Sequence, residues 1–173
     1  MSTFTVRRLD ALSSREFGGL CEVLIDCVEG GASVSFMHPM TLTKAADFWR
    51  EVAASVARGE RALLIAEDAD GAVVGTAQVV WAHPENQPHR ADVAKMLVHR
   101  RARRLGVGAA VLEAAERAAA EAGKWLLVLD TASPDAERLY ERRGWQRVGK
   151  IPDYALWPDG QACATVVYYK RLD

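Results

Sequence analysis

Lys95-Met-Leu-Val-His-Arg-Arg-Ala-Arg-Arg-Leu-Gly-Val-Gly-Ala-Ala-Val-Leu112 decides how the rest of the chain is read. A β-rich run leads into a loop carrying Arg100, Arg101, Arg103 and Arg104, and then Gly106 and Gly108 open a helical pattern. The first N–H groups of a helix lack internal partners, and the aligned peptide dipoles favour an anion there. Glycines let a phosphate approach the backbone closely, and the arginines add positive charge. The pattern predicts a cradle for a pyrophosphate.

Two nucleotide-binding patterns fit less well. A Walker loop would need Gly-Lys-Ser/Thr, which does not follow. A dinucleotide fingerprint would use Gly106-x-Gly108, with Asp130 as the ribose-binding acid at the end of the next strand. Its third glycine position holds Val111, and about 90 residues precede the unit while only about 40 follow its second strand, too few for a doubly wound sheet.

Downstream, residues 106–122 are rich in Ala, Glu and Arg and predict a long helix stopped by Gly123. Residues 125–130 form a short, nearly all-apolar run, as in a strand buried on both faces. Ser133-Pro134 starts another helix, with Ala136, Leu139 and Tyr140 on one face and Gly144 at its end. Residues 145–148 and 163–170 read as the last strands, separated by a Pro/Asp/Gly loop that looks able to close over a small ligand through Trp157.

Upstream, residues 61–67, 72–81 and 90–98 read as strands, the first two joined by the hairpin signal Asp68-Ala-Asp-Gly71. Before them, residues 13–28 place Phe17, Leu20, Cys21, Leu24, Cys27 and Val28 at helical spacing. Thr43 is the expected cap of a second helix reaching about Arg58. Residues 3–8 alternate as an edge strand would. The order β-α-α-β-β-β-α-β-α-β-β predicts one α/β domain over residues 1–173, a mixed sheet of about seven strands flanked by about four helices.

Lys+Arg of 22 against Asp+Glu of 23 gives a net charge of -1, without the basic excess of a nucleic-acid binder. The three cysteines, Cys21, Cys27 and Cys163, form no close pair and read as reduced thiols of a cytoplasmic protein. No signal peptide is recognisable at the N-terminus, and no run approaches the roughly 18 apolar residues of a membrane span. No His, Cys and carboxylate set has metal-ligand spacing.

Arg103-Arg-Leu-Gly-Val-Gly108 resembles the R/Q-x-x-G-x-G/A signature of the GCN5-related N-acetyltransferases. Ser133-Pro-Asp-Ala-Glu-Arg-Leu-Tyr140, followed by Gly144-Trp145, resembles the family's second motif, with Ser133 where the family often has Asn. The element order agrees over essentially the whole chain. More loosely, residues 149–160 with Leu129-Asp130-Thr131 resemble the tabtoxin-resistance acetyltransferases, a subfamily acting on a small β-lactam amino-acid toxin.

The resemblance implies an acetyl-CoA-dependent N-acetyltransferase that moves the acetyl group directly to the amine of a small molecule, such as a toxin or antibiotic. It implies a coenzyme site at Arg103, Arg104, Leu105, Gly106, Val107, Gly108 and Ala109, with a weaker contact, or none, at Ser133. A main-chain N–H at Leu97 or Val98 would face the thioester carbonyl. Tyr140 would protonate the departing thiolate, its ordinary pKa of about 10 being suited to that task. Its other reading is a packing tyrosine beside Leu139.

Asp130, at the end of a central strand, would anchor the acceptor ammonium or take up its proton; its other reading is a turn or cap with Thr131. His83, Glu85, His89 and Asp92 are weaker base candidates, and His99 reads as structural. The arginine run would serve the coenzyme and not a polynucleotide. A protein N-terminal or lysine acetyltransferase and a non-catalytic acyl-CoA sensor remain alternatives. Neither a metal nor a membrane is expected as a partner, and a homodimer stays open.

Overall fold

The computed structural model describes residues 4–172. The chain order is β1 (Phe4–Leu9), α1 (Ser14–Glu29), α2 (Leu42–Ala57), β2 (Arg61–Asp68), β3 (Val73–Trp81), β4 (Arg90–Val98), α3 (Val107–Glu121), β5 (Leu126–Thr131), α4 (Pro134–Arg142), β6 (Gln146–Leu156) and β7 (Ala162–Arg171). One seven-stranded sheet runs β1-β2-β3-β4-β5-β7-β6. The α/β class, the seven strands and the four helices agree with the sequence reading. Thr3, at the start of the expected first strand, lies outside the described residues.

Helices cover both faces. On one side Val107, Val111, Leu112, Ala115 and Ala119 of α3 pack with Ala62, Leu64, Val79, Val93 and Leu129 of the sheet. On the other, Leu20, Leu24 and Val28 of α1 and Trp49 and Val52 of α2 pack against Leu63, Ile65 and Leu97. The central strands β2 and β3 are buried on both faces, which is why their sequences lack a clean alternation.

Local chemistry sets the element ends. Ser13 caps α1 in a capping box: its hydroxyl accepts from the Glu16 N–H at 3.3 Å, and the Glu16 carboxylate accepts from the Ser13 N–H at 2.7 Å. The β2–β3 turn is held by Asp68, whose carboxylate accepts from the Asp70 and Ala72 N–H groups at 3.1 and 2.9 Å. The cap of α2 is Thr41 and not Thr43; its hydroxyl accepts from the Lys44 N–H at 3.2 Å. Both threonines have the right chemistry, and the helix starts at the earlier one.

The largest departure from the sequence reading is β6. Instead of a short strand followed by a loop, residues 146–156 pair antiparallel with β7, with register shifts between Arg147 and Gly149 and between Ile151 and Ala155. Asp153 takes a left-handed backbone (φ 49°) inside the second irregularity. Pro152 is tolerated because β6 is the edge of the sheet, where a missing N–H breaks no ladder. What was read as a closing loop is therefore mostly strand, and only a tight turn, with the Trp157 N–H on the Gln161 C=O at 2.8 Å, joins β6 to β7.

Candidate active site

The sheet opens at its centre. Strands β4 and β5 run parallel but pair only at Arg90↔Leu126, Ala91↔Leu127 and Asp92↔Val128. Beyond that point β5 stays paired with β7 up to Thr131, and β4 stays paired with β3. The cause lies partly in β4: its register against β3 shifts between Thr76 and Gln78, and Lys95 adopts φ 50°. A bulge of this kind bends a strand away from its neighbour.

On the β4 side of the gap the backbone is partly committed. The His99 N–H donates to the Val74 C=O on β3 at 2.9 Å. Successive residues of a strand direct their N–H groups to opposite sides, so Val98 directs its N–H away from β3 and toward the gap, while Leu97 faces β3. Of the two main-chain candidates, Val98 is the one placed to meet a ligand there. Its C=O accepts from the Cys27 thiol on α1 at 3.5 Å, and burial pushes that thiol up to about 11.

The mouth of the gap is the start of α3. Gly106 precedes it in the left-handed region (φ 86°), and no side chain caps the helix. Ala110 makes the first helical bond, to the Gly106 C=O at 3.1 Å. The N–H groups of Val107, Gly108 and Ala109 are therefore left to whatever lies beyond the helix start. Gly108 faces Leu139 and Val98, whose methyl carbons stand 3.4 and 3.7 Å from where a Cβ would be. The helix start thus meets the end of β4 and the tyrosine-bearing helix α4.

The arginine loop divides in two. Arg100 donates through its N–H (2.8 Å) and Nε (2.9 Å) to Asp26 at the end of α1. Arg101 donates to Asp68 at 2.9 Å. These two are structural, which corrects the expectation that the whole run faces a phosphate. Arg103 and Arg104 are exposed and, among the described residues, make no ion pair; Leu105 beside them is 57% exposed. His99 caps the 3-10 turn at residues 100–102, its Nδ1 accepting from the Arg101 N–H at 3.2 Å.

Asp130 lies at the end of β5 on the face opposite α3. It is not part of a turn with Thr131: its Oδ2 accepts from the Thr165 hydroxyl on β7 at 2.6 Å. Thr131 instead accepts from the Ser133 N–H at 3.1 Å. Asp130 borders a cavity of about 400 Å³ with Asp92, Ala94, Val128, Ile151, Tyr154 and Thr165 among its lining. Asp92 is held by Arg90 at 2.7 Å. His89 stacks on Trp125 at 4.3 Å, and neither it nor His83 or Glu85 lines this cavity.

Tyr140 is 3% exposed and packs between Trp145 and Tyr168, with both ring centroids at 5.8 Å. Burial, with the Asp130 carboxylate adding to it, pushes its phenol well above the ordinary tyrosine range. Such a phenol holds its proton at neutral pH and gives it up less readily than an ordinary tyrosine. Ser133 is occupied in capping α4, accepting from the Ala136 N–H at 3.3 Å. Sequence reasoning overlooked Ile151 and Tyr154, because it placed them in a loop.

A helix start with free N–H groups, a splayed parallel strand pair and a carboxylate-lined cavity thus lie along one gap in the sheet. The chain belongs to the acetyltransferase (GNAT) family, whose model matches residues 32–145. An uncharacterized N-acetyltransferase in the hisH-hisA intergenic region of Azospirillum brasilense is 27% identical over 176 residues, covering 92% of this chain and 98% of that protein. The fold recurs in the phosphinothricin acetyltransferase of Sinorhizobium meliloti, solved with acetyl-CoA (TM-score 0.79, 18% identical, 98% of this chain and 89% of that one). It recurs equally in the ribosomal-protein-alanine N-acetyltransferase of Brucella melitensis (TM-score 0.78, 20% identical, 97% and 99%). At these identities the likeness is one of fold. Among the described residues no helix is long and apolar enough to cross a membrane.

Proposed function

We propose that this acetyltransferase moves an acetyl group from acetyl-CoA directly to the amine of a small molecule, in the cytoplasm. The observation that carries the reading is the β4–β5 gap, which joins the free N–H groups of α3 at one end to the Asp130 cavity on the far face. The residues present fit an acyl-coenzyme A: uncapped N–H groups and two exposed arginines outside the ion pairs of the described residues suit a pyrophosphate, and the unpaired strand edges suit amide groups. When bound, it would supply an activated acetyl thioester.

The chain's own residues divide the remaining work. Val107, Gly108 and Ala109 hold the pyrophosphate oxygens, with Arg103 and Arg104 beside them. The Val98 N–H donates to the thioester carbonyl oxygen and so favours the charge that develops there. Asp130 receives the acceptor ammonium and, directly or through water, its proton. Tyr140 gives its phenolic proton to the departing sulfur. Ile151 and Tyr154 of β6 form the solvent-facing side of the cavity, where the acceptor enters.

Three buried thiols without disulfide partners support a reducing compartment. The test of the function is thiol release from acetyl-CoA with a panel of small amines beside a panel of peptides. Turnover of the amines supports the reading. Turnover of peptides alone would make a protein the acceptor, and coenzyme binding without turnover of either would make the chain a sensor.

A further inference from the structure

The two carboxylates of the acceptor cavity are held very differently. Asp92 is paired with Arg90 at 2.7 Å. Asp130, among the described residues, has one hydrogen-bond partner, the Thr165 hydroxyl at 2.6 Å from Oδ2. Asp130 is exposed, and water alone would leave its carboxylate free to turn about the Cα–Cβ and Cβ–Cγ bonds.

Thr165 is placed to stop that turning. It is 3% exposed and sits on β7 between the two neighbouring strands, in register with Ile151 of β6. On the other side Asp130 stands opposite Val167. Thr165 is therefore the diagonal neighbour of Asp130, two residues along β7 on the same face, and both border the cavity. A β-branched side chain is stiff at χ1, so the hydroxyl has little freedom to leave. An ionised carboxylate can only accept, which makes Thr165 the donor of this bond. Bonds from a hydroxyl to a charged oxygen are short and roughly twice as strong as neutral ones. Oδ2 is thus committed, while Oδ1 has no hydrogen-bond partner among the described residues.

The orientation of this carboxylate matters beyond its own atoms. Its charge adds to the burial that holds the proton on the Tyr140 phenol, and it opposes the burial that draws the Lys95 amine down. Asp130 lies within the field of the proposed acid on one side and of a half-buried cation on the other.

We propose that Thr165 is a positioning residue for acetyl transfer: its hydroxyl holds one oxygen of Asp130 so that the other is presented to the acceptor amine. This rests on the acceptor role given to Asp130 above.

The test runs on the full chain with acetyl-CoA and an amine panel that includes ethanolamine, benzylamine and L-leucinamide, taking the member that reacts fastest. Thr165→Val keeps the shape of the side chain and removes the hydroxyl. In that variant kcat/KM for the amine should fall by about tenfold to a hundredfold, the scale of a charged hydrogen bond. Acetyl-CoA titration should be unchanged, since the loss falls on the acceptor side. Thr165→Ser returns the hydroxyl and should recover most of the rate. Thr165→Ala lacks methyl and hydroxyl alike, so its shortfall against Thr165→Ser isolates the hydroxyl even where Thr165→Val folds poorly. The Asp130→Asn background gives the readout that a merely structural threonine would not move: there, Thr165→Val should cost no more than about twofold further.

Thr165→Val and Thr165→Ala as active as Thr165→Ser, or a loss as large on Asp130→Asn as on wild type, overturns the proposal and leaves Asp130 in its role. Asp130→Asn turning over within about threefold of wild type removes Asp130 from the reaction, and the proposal falls with it. An amine panel that stays silent while coenzyme binds normally takes down the small-molecule reading first, and this proposal as its consequence.

Discussion

Gly108→Asp separates the anion cradle from the fold more sharply than any other change. A Cβ at this position would stand 3.4 Å from Leu139 and 3.7 Å from Val98, ordinary contact distances that require nothing to move. Replacing a helical glycine recovers part of the roughly 1 kcal/mol that glycine costs relative to alanine. A carboxylate in the first turn adds about 0.3–1 kcal/mol through the helix dipole. The variant should therefore be as stable as wild type or more so. Its ligand binding should suffer: two unit charges about 5 Å apart at an effective dielectric of about 20 repel by about 3 kcal/mol, more than a hundredfold in affinity. Gly108→Ala adds the same Cβ without charge and should bind nearly normally. The assay is calorimetric titration of coenzyme A, with thermal unfolding run on the same preparations. Unchanged affinity in a folded Gly108→Asp protein would refute the placement of the pyrophosphate at this helix start.

Tyr140→Phe keeps the ring between Trp145 and Tyr168; turnover should fall by about 10²–10⁴ with coenzyme affinity changed by no more than about 1 kcal/mol. Turnover within about threefold of wild type in steady-state assays means that Tyr140 is not the acid. Arg103→Gln and Arg104→Gln should each weaken coenzyme binding, whereas Arg101→Gln, whose guanidinium is already on Asp68, should not; titration of the three variants decides this. Asp26 is 12% exposed, and although burial pushes its carboxyl up, the Arg100 N–H and guanidinium outweigh this and hold it below its ordinary value. A depressed carboxylate stabilises the fold above its unfolded pKa of about 4 and loses that contribution as pH falls through the folded value. Asp26→Asn should thus cost about 1–3 kcal/mol at neutral pH and converge on wild type in acid, as read by urea unfolding across that range. DNA and RNA should bind no tighter than about 10⁻⁴ to 10⁻⁶ M at physiological salt in a filter assay.

The parts of the molecule legible from sequence are those with a local cause. The strand, arginine loop, glycines and long helix of residues 95–122 state their own geometry, because helix propensity, glycine conformation and unsatisfied N–H groups act within a few residues. The Ser13 cap and the Asp68 turn are legible for the same reason. What was hidden depends on a neighbour in space. Nothing in the sequence of β6 says that its Pro152 lies on a sheet edge, so Ile151 and Tyr154 were misplaced. The bulge at Lys95 reverses the parity of β4: Ala91 and Val93 face α3 before it, and Met96 and Val98 after it. A reading by strict alternation follows the strand past that point onto the wrong face. Arg100 and Arg101 looked identical to Arg103 and Arg104 because their carboxylates come from α1 and from the β2–β3 turn.

Helix α3 lies so close to the sheet that a Cβ on Gly75 of β3 would come within 2.6 Å of the Val107 side chain. Val107 is the first residue of that helix, so one absent methyl group sets how deep the cradle sits. Position 75 is in effect a shim: bulk added there would press on the Val107 side chain from behind and raise the helix start, leaving the chemistry of the ligand-facing N–H groups unaltered. Variation at this hidden site would then be selected as variation in coenzyme affinity, and a search for affinity variants confined to the pocket lining would never sample it.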